Sequence, residues 1–164
     1  MIQRMIDSNI GQIMERINEI HGTSLRSFQT PILETLPNKE TVRSQLFNYS
    51  VVIYGYYEGD YLVGLIYYQL PAIISFQKSA TIYWTSCEGM SKEVFSTFLA
   101  ESVKELFIKE RINKIKIHLS KANYYEDDIE SELIELGFSK EAEIKHGVGW
   151  ENNLLVFSRL NEQL

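Results

Sequence analysis

The strongest constraint on the fold is a predicted strand that passes through a short loop directly into the longest amphipathic helix of the chain. Residues 79–85 are rich in β-branched and aromatic residues, and the loop that follows carries one glycine, Gly89. The helix is indicated by apolar residues at turn spacing: Val94, Phe95, Phe98, Leu99, Val103, Leu106 and Phe107. Free N–H groups and the helix dipole favour negative charge at such an N-terminus. The segment therefore predicts a phosphate site.

The remaining pattern predicts a single α/β (α+β) domain over residues 1–164, with one mixed central sheet flanked by helices. Two β-branched and aromatic runs around a glycine turn predict a β-hairpin over residues 51–68. Helices are predicted before Gly22, after Asn38, after the phosphate loop, and from near Asp127 to Gly137. The other predicted strands are residues 2–6, 79–85, 112–119, 139–146 and 152–159.

Composition limits the possible partners and the cellular location. The formal net charge of −6 argues against nonspecific binding of nucleic acid, which requires a basic surface. The single cysteine, Cys87, excludes an intrachain disulfide and favours the reducing cytoplasm. We expect no membrane span, because no stretch approaches the roughly 20 apolar residues that one needs. The spacing of His, Cys and carboxylates predicts no metal site, and a homodimer is left open.

The order of these elements, together with short motifs, resembles the GNAT N-acetyltransferase superfamily along nearly the whole chain. The motifs are the hairpin sequence YEGDYLVG at residues 57–64, the helix ending ELIELGF at residues 132–138, and the closing strand that ends FSRL at residues 157–160. The resemblance implies the acyl-CoA N-acyltransferase (GNAT-like) fold. It also implies acetyl-CoA as co-substrate, without a metal, and an amine-bearing acceptor.

The resemblance further implies where acetyl-CoA binds. In this family the loop amides bind the pyrophosphate, and the backbone of the preceding strand holds the pantetheine arm. The implied cofactor-binding residues are Tyr83, Thr85, Glu88, Gly89, Met90, Ser91, Lys92 and Asn123. Two residues depart from the family pattern: Glu88 lies where an arginine is common, and Leu133 where a tyrosine acts as general acid. We expect Glu88 to point away from the phosphates or to pair with Lys92.

The candidate catalytic residues are Tyr124 and Tyr125, near the position of the CoA thiol, although both could be ordinary surface aromatics. Asn123 could bond the cofactor arm or cap a helix. His118 could act as a base, but a histidine beside two lysines is more often solvated. For Cys87 we predict a small buried apolar role rather than a nucleophilic one.

The predicted function is transfer of an acetyl group from acetyl-CoA to a primary amine of a small molecule or peptide by direct attack. Two alternatives stay open. The chain could be a catalytically impaired binding or regulatory module, or an acyltransferase that uses a longer-chain or carrier-protein thioester. The hairpin tyrosines could line an acceptor pocket, but alternation along a strand divides them between the two sheet faces, so core packing is the default.

Overall fold

The computed structural model describes residues 1–22, 24–32, 35–72, 76, 78–121, 128–147 and 152–162. These residues form one seven-stranded sheet flanked by helices, as the sequence predicts. The helices are α1 (Ile10–Ile17), α2 (Lys39–Phe47), α3 (Lys92–Lys109) and α4 (Ile129–Glu135), and a short 3-10 turn (Asp7–Asn9) precedes α1. The strands are β1 (Ile2–Arg4), β2 (Val51–Glu58), β3 (Tyr61–Gln69), β4 (Ser79–Ser86), β5 (Lys114–Ser120), β6 (Ser139–Ile144) and β7 (Leu154–Leu160).

The strands lie in the order β1-β2-β3-β4-β5-β7-β6, so the closing strand β7 is inserted between β5 and β6. The pair β4 and β5 is parallel, and the other neighbouring pairs are antiparallel. A parallel connection needs a crossover, and α3 provides it. The first turn of α3 therefore lies at the end of the sheet where β4 ends.

Helices cover both faces of the sheet, and each face has its own apolar core. The core on the α3 and α4 face includes Phe95, Phe98, Leu99, Val103, Leu106, Ile115, Ile117 and Leu133. The core on the α1 and α2 face includes Ile10, Ile13, Ile17, Val42, Leu65, Tyr67 and Trp84. Two cores on one sheet are what an alternating pattern flanked by amphipathic helices predicts.

Three of the hairpin tyrosines divide between these cores, as the packing interpretation predicts, whereas Tyr61 is 80% exposed. Tyr54 and Tyr68 lie in the α3-side core, and Tyr67 lies in the α1-side core. All three are at most 1% exposed, so they are not available to line an open acceptor pocket. Gly59 turns the hairpin with a φ of 61°, in the left-handed region that favours glycine.

The last helix, α4, ends before Gly137, as the sequence predicts, and its end has Schellman geometry. The N–H of Phe138 donates to the carbonyl of Leu133 at 2.9 Å, and the N–H of Gly137 donates to that of Ile134 at 3.0 Å. Leu133 itself is fully buried in the α3-side core. The position where the family carries a tyrosine is therefore a packing position here.

Some predicted boundaries are wrong. The first strand stops at Arg4, and α1 ends at Ile17, five residues before the predicted terminator Gly22. Phe47, an apolar residue at the end of α2, is 82% exposed. Within the described ranges, no helix is long and apolar enough to cross a membrane.

Candidate functional site

The central feature of the candidate site is the region beyond the short pairing of the parallel strands β4 and β5, which we call the opening between them. Their pairing covers only Ser79–Thr81 with Lys114–Lys116, although β4 continues to Ser86 and β5 continues to Ser120. A bulge in the β3–β4 pairing, where Tyr67 faces Trp84 and Tyr68 faces Ile82, places Tyr83 as the extra residue. Bulges bend a strand and increase its twist. This bulge lies where β4 leaves β5.

The loop from Cys87 to Ser91 connects β4 to α3 as a tight turn. The N–H of Met90 donates to the carbonyl of Cys87 at 3.0 Å. The Ser91 side chain caps α3 by accepting from the N–H of Val94 at 3.3 Å. Gly64 of the hairpin motif makes room for this turn, because a Cβ there would overlap Met90 and lie 2.9 Å from the Cys87 sulfur.

Gly89 leaves open space next to the N-terminus of α3. It is exposed, no other group lies within 4 Å of where its Cβ would be, and its φ is not positive. Neither the backbone nor the packing therefore requires a glycine here. Open space beside a capped helix N-terminus is the geometry that suits an approaching phosphate. This end of the site fits the pyrophosphate of acetyl-CoA.

The carboxylate of Glu88 is paired with a histidine side chain. His21 Nε2 lies 2.7 Å from Glu88 Oε2, and both side chains are exposed. The sequence predicts Lys92 as the partner if the carboxylate is paired, and the structure shows His21 instead. Lys92 borders a separate cavity of about 410 Å³ between α3 and α4, which is lined by Ser96, Asp128, Ser131, Glu132, Glu135 and Leu136.

Residues 24–30, which we call the strap, run along the edge of β4 that faces away from β3. The N–H of Thr85 donates to the carbonyl of Phe28 at 3.0 Å, and the N–H of Phe28 donates to that of Thr85 at 3.2 Å. The N–H of Thr30 donates to the carbonyl of Tyr83 at 2.8 Å. Since β3 pairs with the opposite edge over these residues, the strap lies on the side where β5 has diverged.

Side chains and the loop backbone also hold the strap. The Thr85 hydroxyl donates to the carbonyl of Leu25 at 2.6 Å and accepts from the N–H of Phe28 at 2.9 Å. Arg26 donates from its guanidinium to the carbonyl of Met90 at 2.6 Å and accepts from the N–H of Cys87 through its own carbonyl, also at 2.6 Å. The strap, for which the sequence predicts no helix or strand, is thus hydrogen-bonded both to β4 and to the loop before α3, the two parts of the predicted acetyl-CoA site.

The predicted site residues now divide into three groups. Gly89, Ser91 and Glu88 are exposed in the loop between β4 and α3, Met90 is buried beneath that loop, and Lys92 begins α3. Tyr83 and Thr85 lie on β4, but the carbonyl of Tyr83 and the N–H, carbonyl and hydroxyl of Thr85 are hydrogen-bonded to the strap. Asn123, Tyr124 and Tyr125 lie outside the described residues, and their assigned roles stay predictions.

His118 is less exposed than its neighbouring lysines suggest. It lies two residues beyond the last β4–β5 pair, and register places it on the sheet face that carries Trp84. Its ring is half-buried, and its Nδ1 atom has no hydrogen-bond partner among the described residues. Burial, reinforced by the Lys116 ammonium, lowers the pKa of His118 below its usual 6.5. The sequence indicates a solvated histidine, whereas the structure shows a half-buried ring on the part of β5 that no longer pairs with β4.

We expect acid to destabilise the protein through His118. Because the pKa is lowered in the folded state, the unfolded chain takes up the proton first as the pH falls below about 6.5. Stability is therefore present above that pH and is lost as the pH falls through the folded-state pKa. NMR titration should place the His118 midpoint below 6.5. Thermal unfolding between pH 7 and 5 should depend less on pH in His118→Gln than in the wild type.

Cys87 is a packed side chain, as predicted. It is fully buried, and burial raises the pKa of its thiol to about 12. A thiol that stays protonated at neutral pH is a poor nucleophile. Within the described residues, no group of three or more His, Cys, Asp or Glu side chains is placed to hold a metal ion.

No protein-family model matches the sequence, and the comparison with curated proteins gave no match either. Solved structures do match over nearly the whole chain. A probable acetyltransferase from Staphylococcus epidermidis has a TM-score of 0.75 at 13% identity, with 98% of each chain covered. The smu.2055 protein of Streptococcus mutans has a TM-score of 0.73 at 20% identity, again with 98% of each chain covered.

A ribosomal-protein-alanine N-acetyltransferase from Brucella melitensis matches with a TM-score of 0.70 at 16% identity, covering 98% of this chain and 99% of that one. At such identities the likeness establishes the fold. The chain therefore has the GNAT acyl-CoA N-acyltransferase fold, as its order of elements predicts.

Proposed function

We propose that the protein is an N-acetyltransferase that moves an acetyl group from acetyl-CoA to a primary amine of a small molecule or peptide. The observation that carries the proposal is the opening between β4 and β5, which leads to the capped N-terminus of α3 at Gly89. A peptide-like amine as acceptor is supported by the structural neighbour that acts on ribosomal-protein alanine. The pyrophosphate would bind beside Gly89, and the pantetheine arm would run along β4.

The reaction needs few protein groups. The neutral amine attacks the thioester carbonyl carbon, a C–N bond forms, the C–S bond breaks, and the CoA sulfur leaves as a thiolate. The attacking nitrogen must lose one proton, and the sulfur gains one. Among the described side chains, we propose His118 as the acceptor of the amine proton, because it lies on β5 beyond the last β4–β5 pair and its lowered pKa leaves the ring free to take up a proton at neutral pH. Tyr124 and Tyr125 are our candidates for protonating the thiolate.

Acetyl-CoA should stabilise the folded protein. A ligand at a hundred times its dissociation constant raises the free energy of unfolding by about 2.7 kcal/mol. Thermal unfolding with and without millimolar acetyl-CoA, followed by thiol release across a panel of amines, tests binding and turnover separately. Cys87 will not contribute to the thiol signal while the protein is folded, because its thiol is fully buried. A transition that acetyl-CoA does not move would contradict the proposal.

A second candidate function is a binding or regulatory module that has the fold but no transfer activity. Two observations favour it: the strap bonds to Thr85 on β4, and a carboxylate, Glu88, stands at the mouth of the phosphate site. In this case acetyl-CoA or CoA would bind without turnover of any amine in the panel. Detectable transfer to any amine would exclude it.

A further inference from the structure

We propose that the strap is an intramolecular occupant of the pantetheine groove, so that acyl-CoA binds only after residues 24–30 leave the edge of β4. This inference rests on the proposed function, because it assumes that the pantetheine arm uses that edge. It assigns an autoinhibitory role to the segment between α1 and α2.

The argument starts from the backbone groups that β4 can offer. Beyond the last β4–β5 pair at Thr81, the strap bonds to the carbonyl of Tyr83 and to both the N–H and the carbonyl of Thr85. The pantetheine arm contains two amides, and an arm laid along a strand would pair with the same groups. A backbone N–H donates one strong hydrogen bond at a time. The strap and the arm therefore compete for the edge.

The apolar side chains of the strap make the competition steric as well. Leu25 is 1% exposed and Phe28 is 0% exposed, and both belong to the α3-side core together with Cys87 and Met90 beneath the phosphate loop. The strap thus anchors its apolar side chains in that core as well as pairing with β4. An arm laid between the diverging strands would have to displace this segment.

The electrostatic contacts of this region couple the phosphate loop to the same segment. Arg26 bonds to the carbonyl of Met90, and His21, at the start of the connection, pairs with Glu88. An arriving pyrophosphate would compete with the Met90 carbonyl for Arg26 and with Glu88 for His21. Binding at Gly89 would therefore weaken two contacts that hold the strap closed. The apparent affinity for acyl-CoA equals the intrinsic affinity multiplied by the fraction of molecules in which the strap is open.

Hydrogen exchange on the full-length protein tests the competition directly. With saturating acetyl-CoA, the amides of Phe28 and Thr30 should lose protection, because their acceptors on β4 are taken. The amide of Thr85 should stay protected, because the arm replaces the strap as its partner. Mass spectrometry of peptides that cover residues 24–30 and 81–86 resolves the two segments.

A matched pair of variants at Thr30 tests the effect on affinity. Thr30→Pro removes the N–H that donates to Tyr83 and should tighten acetyl-CoA binding by up to about tenfold. Thr30→Ala keeps that N–H and removes only a buried hydroxyl that has no partner among the described residues, so its affinity should equal the wild-type value. If Thr30→Pro does not fold, Thr85→Val removes both side-chain bonds to the strap and should also tighten binding.

The outcomes separate this inference from the proposed function. The inference is wrong, and the proposed function stands, if acetyl-CoA binds the wild type without lowering the hydrogen-exchange protection of the strap and binds Thr30→Pro and Thr85→Val no more tightly. If neither the wild type nor any folded variant binds acetyl-CoA, both are wrong. Both are supported if acetyl-CoA lowers the hydrogen-exchange protection of the strap and if Thr30→Pro or Thr85→Val binds acetyl-CoA more tightly than the wild type does.

Discussion

We expect Phe28→Ala to lower the free energy of unfolding by about 3–5 kcal/mol, the usual cost of truncating a fully buried aromatic residue. Phe28 is 0% exposed and packs in the α3-side core, although it belongs to a connection between helices rather than to a helix or strand. Its backbone pairs with Thr85 and holds the side chain in place. Urea unfolding followed by fluorescence measures the loss, as a lower midpoint at an unchanged slope.

The control is Phe47→Ala, which removes the same side chain from a surface position. Phe47 is 82% exposed at the end of α2, so the change should alter the free energy of unfolding by no more than about 0.5 kcal/mol. Equal midpoints for the two variants would show that Phe28 is not part of the core. Such a result would also show that Phe28 does not anchor the strap in the α3-side core.

The strands and helices could be predicted because each has a strong local signal. The hairpin has β-branched and aromatic runs around Gly59, α3 has apolar residues at turn spacing, and α4 ends in the Schellman pattern at Gly137. These signals depend on a few neighbouring residues, so one sequence is enough to read them. The order of the strands in the sheet is harder to predict, because the insertion of β7 between β5 and β6 depends on contacts between residues distant in sequence.

The candidate site could be predicted only in part. The position of Gly89 before α3 follows from local pattern, and so does the capping role of Ser91. The position of the strap on β4 cannot be predicted from the sequence, because backbone pairing is independent of side-chain type. The burial of His118 was missed for a related reason. Its neighbours Lys114 and Lys116 suggest solvent, whereas the packing around the ring comes from elements distant in sequence.

The second large effect is expected from a carboxylate placed in the phosphate site. Gly89→Asp should weaken acetyl-CoA binding by several hundredfold at low salt, because two like charges about 4 Å apart near a protein surface repel by roughly 4 kcal/mol, and about 1.4 kcal/mol changes an affinity tenfold. The side chain has room, since nothing lies within 4 Å of the Cβ position at Gly89. The variant should therefore unfold at the wild-type temperature in the absence of ligand.

Gly89→Asn is the matched control, because asparagine has the shape of aspartate without its charge. Whatever steric effect the side chain has on acetyl-CoA is common to both variants, so the ratio of their dissociation constants isolates the charge. That ratio should fall towards one as salt is raised from 10 mM to 1 M, since the Debye length shrinks from about 30 Å to about 3 Å. Isothermal calorimetry at several salt concentrations measures it. Equal affinities of the two variants at low salt would mean that the pyrophosphate does not bind at Gly89. The capped end of α3 would then have no part in holding acetyl-CoA.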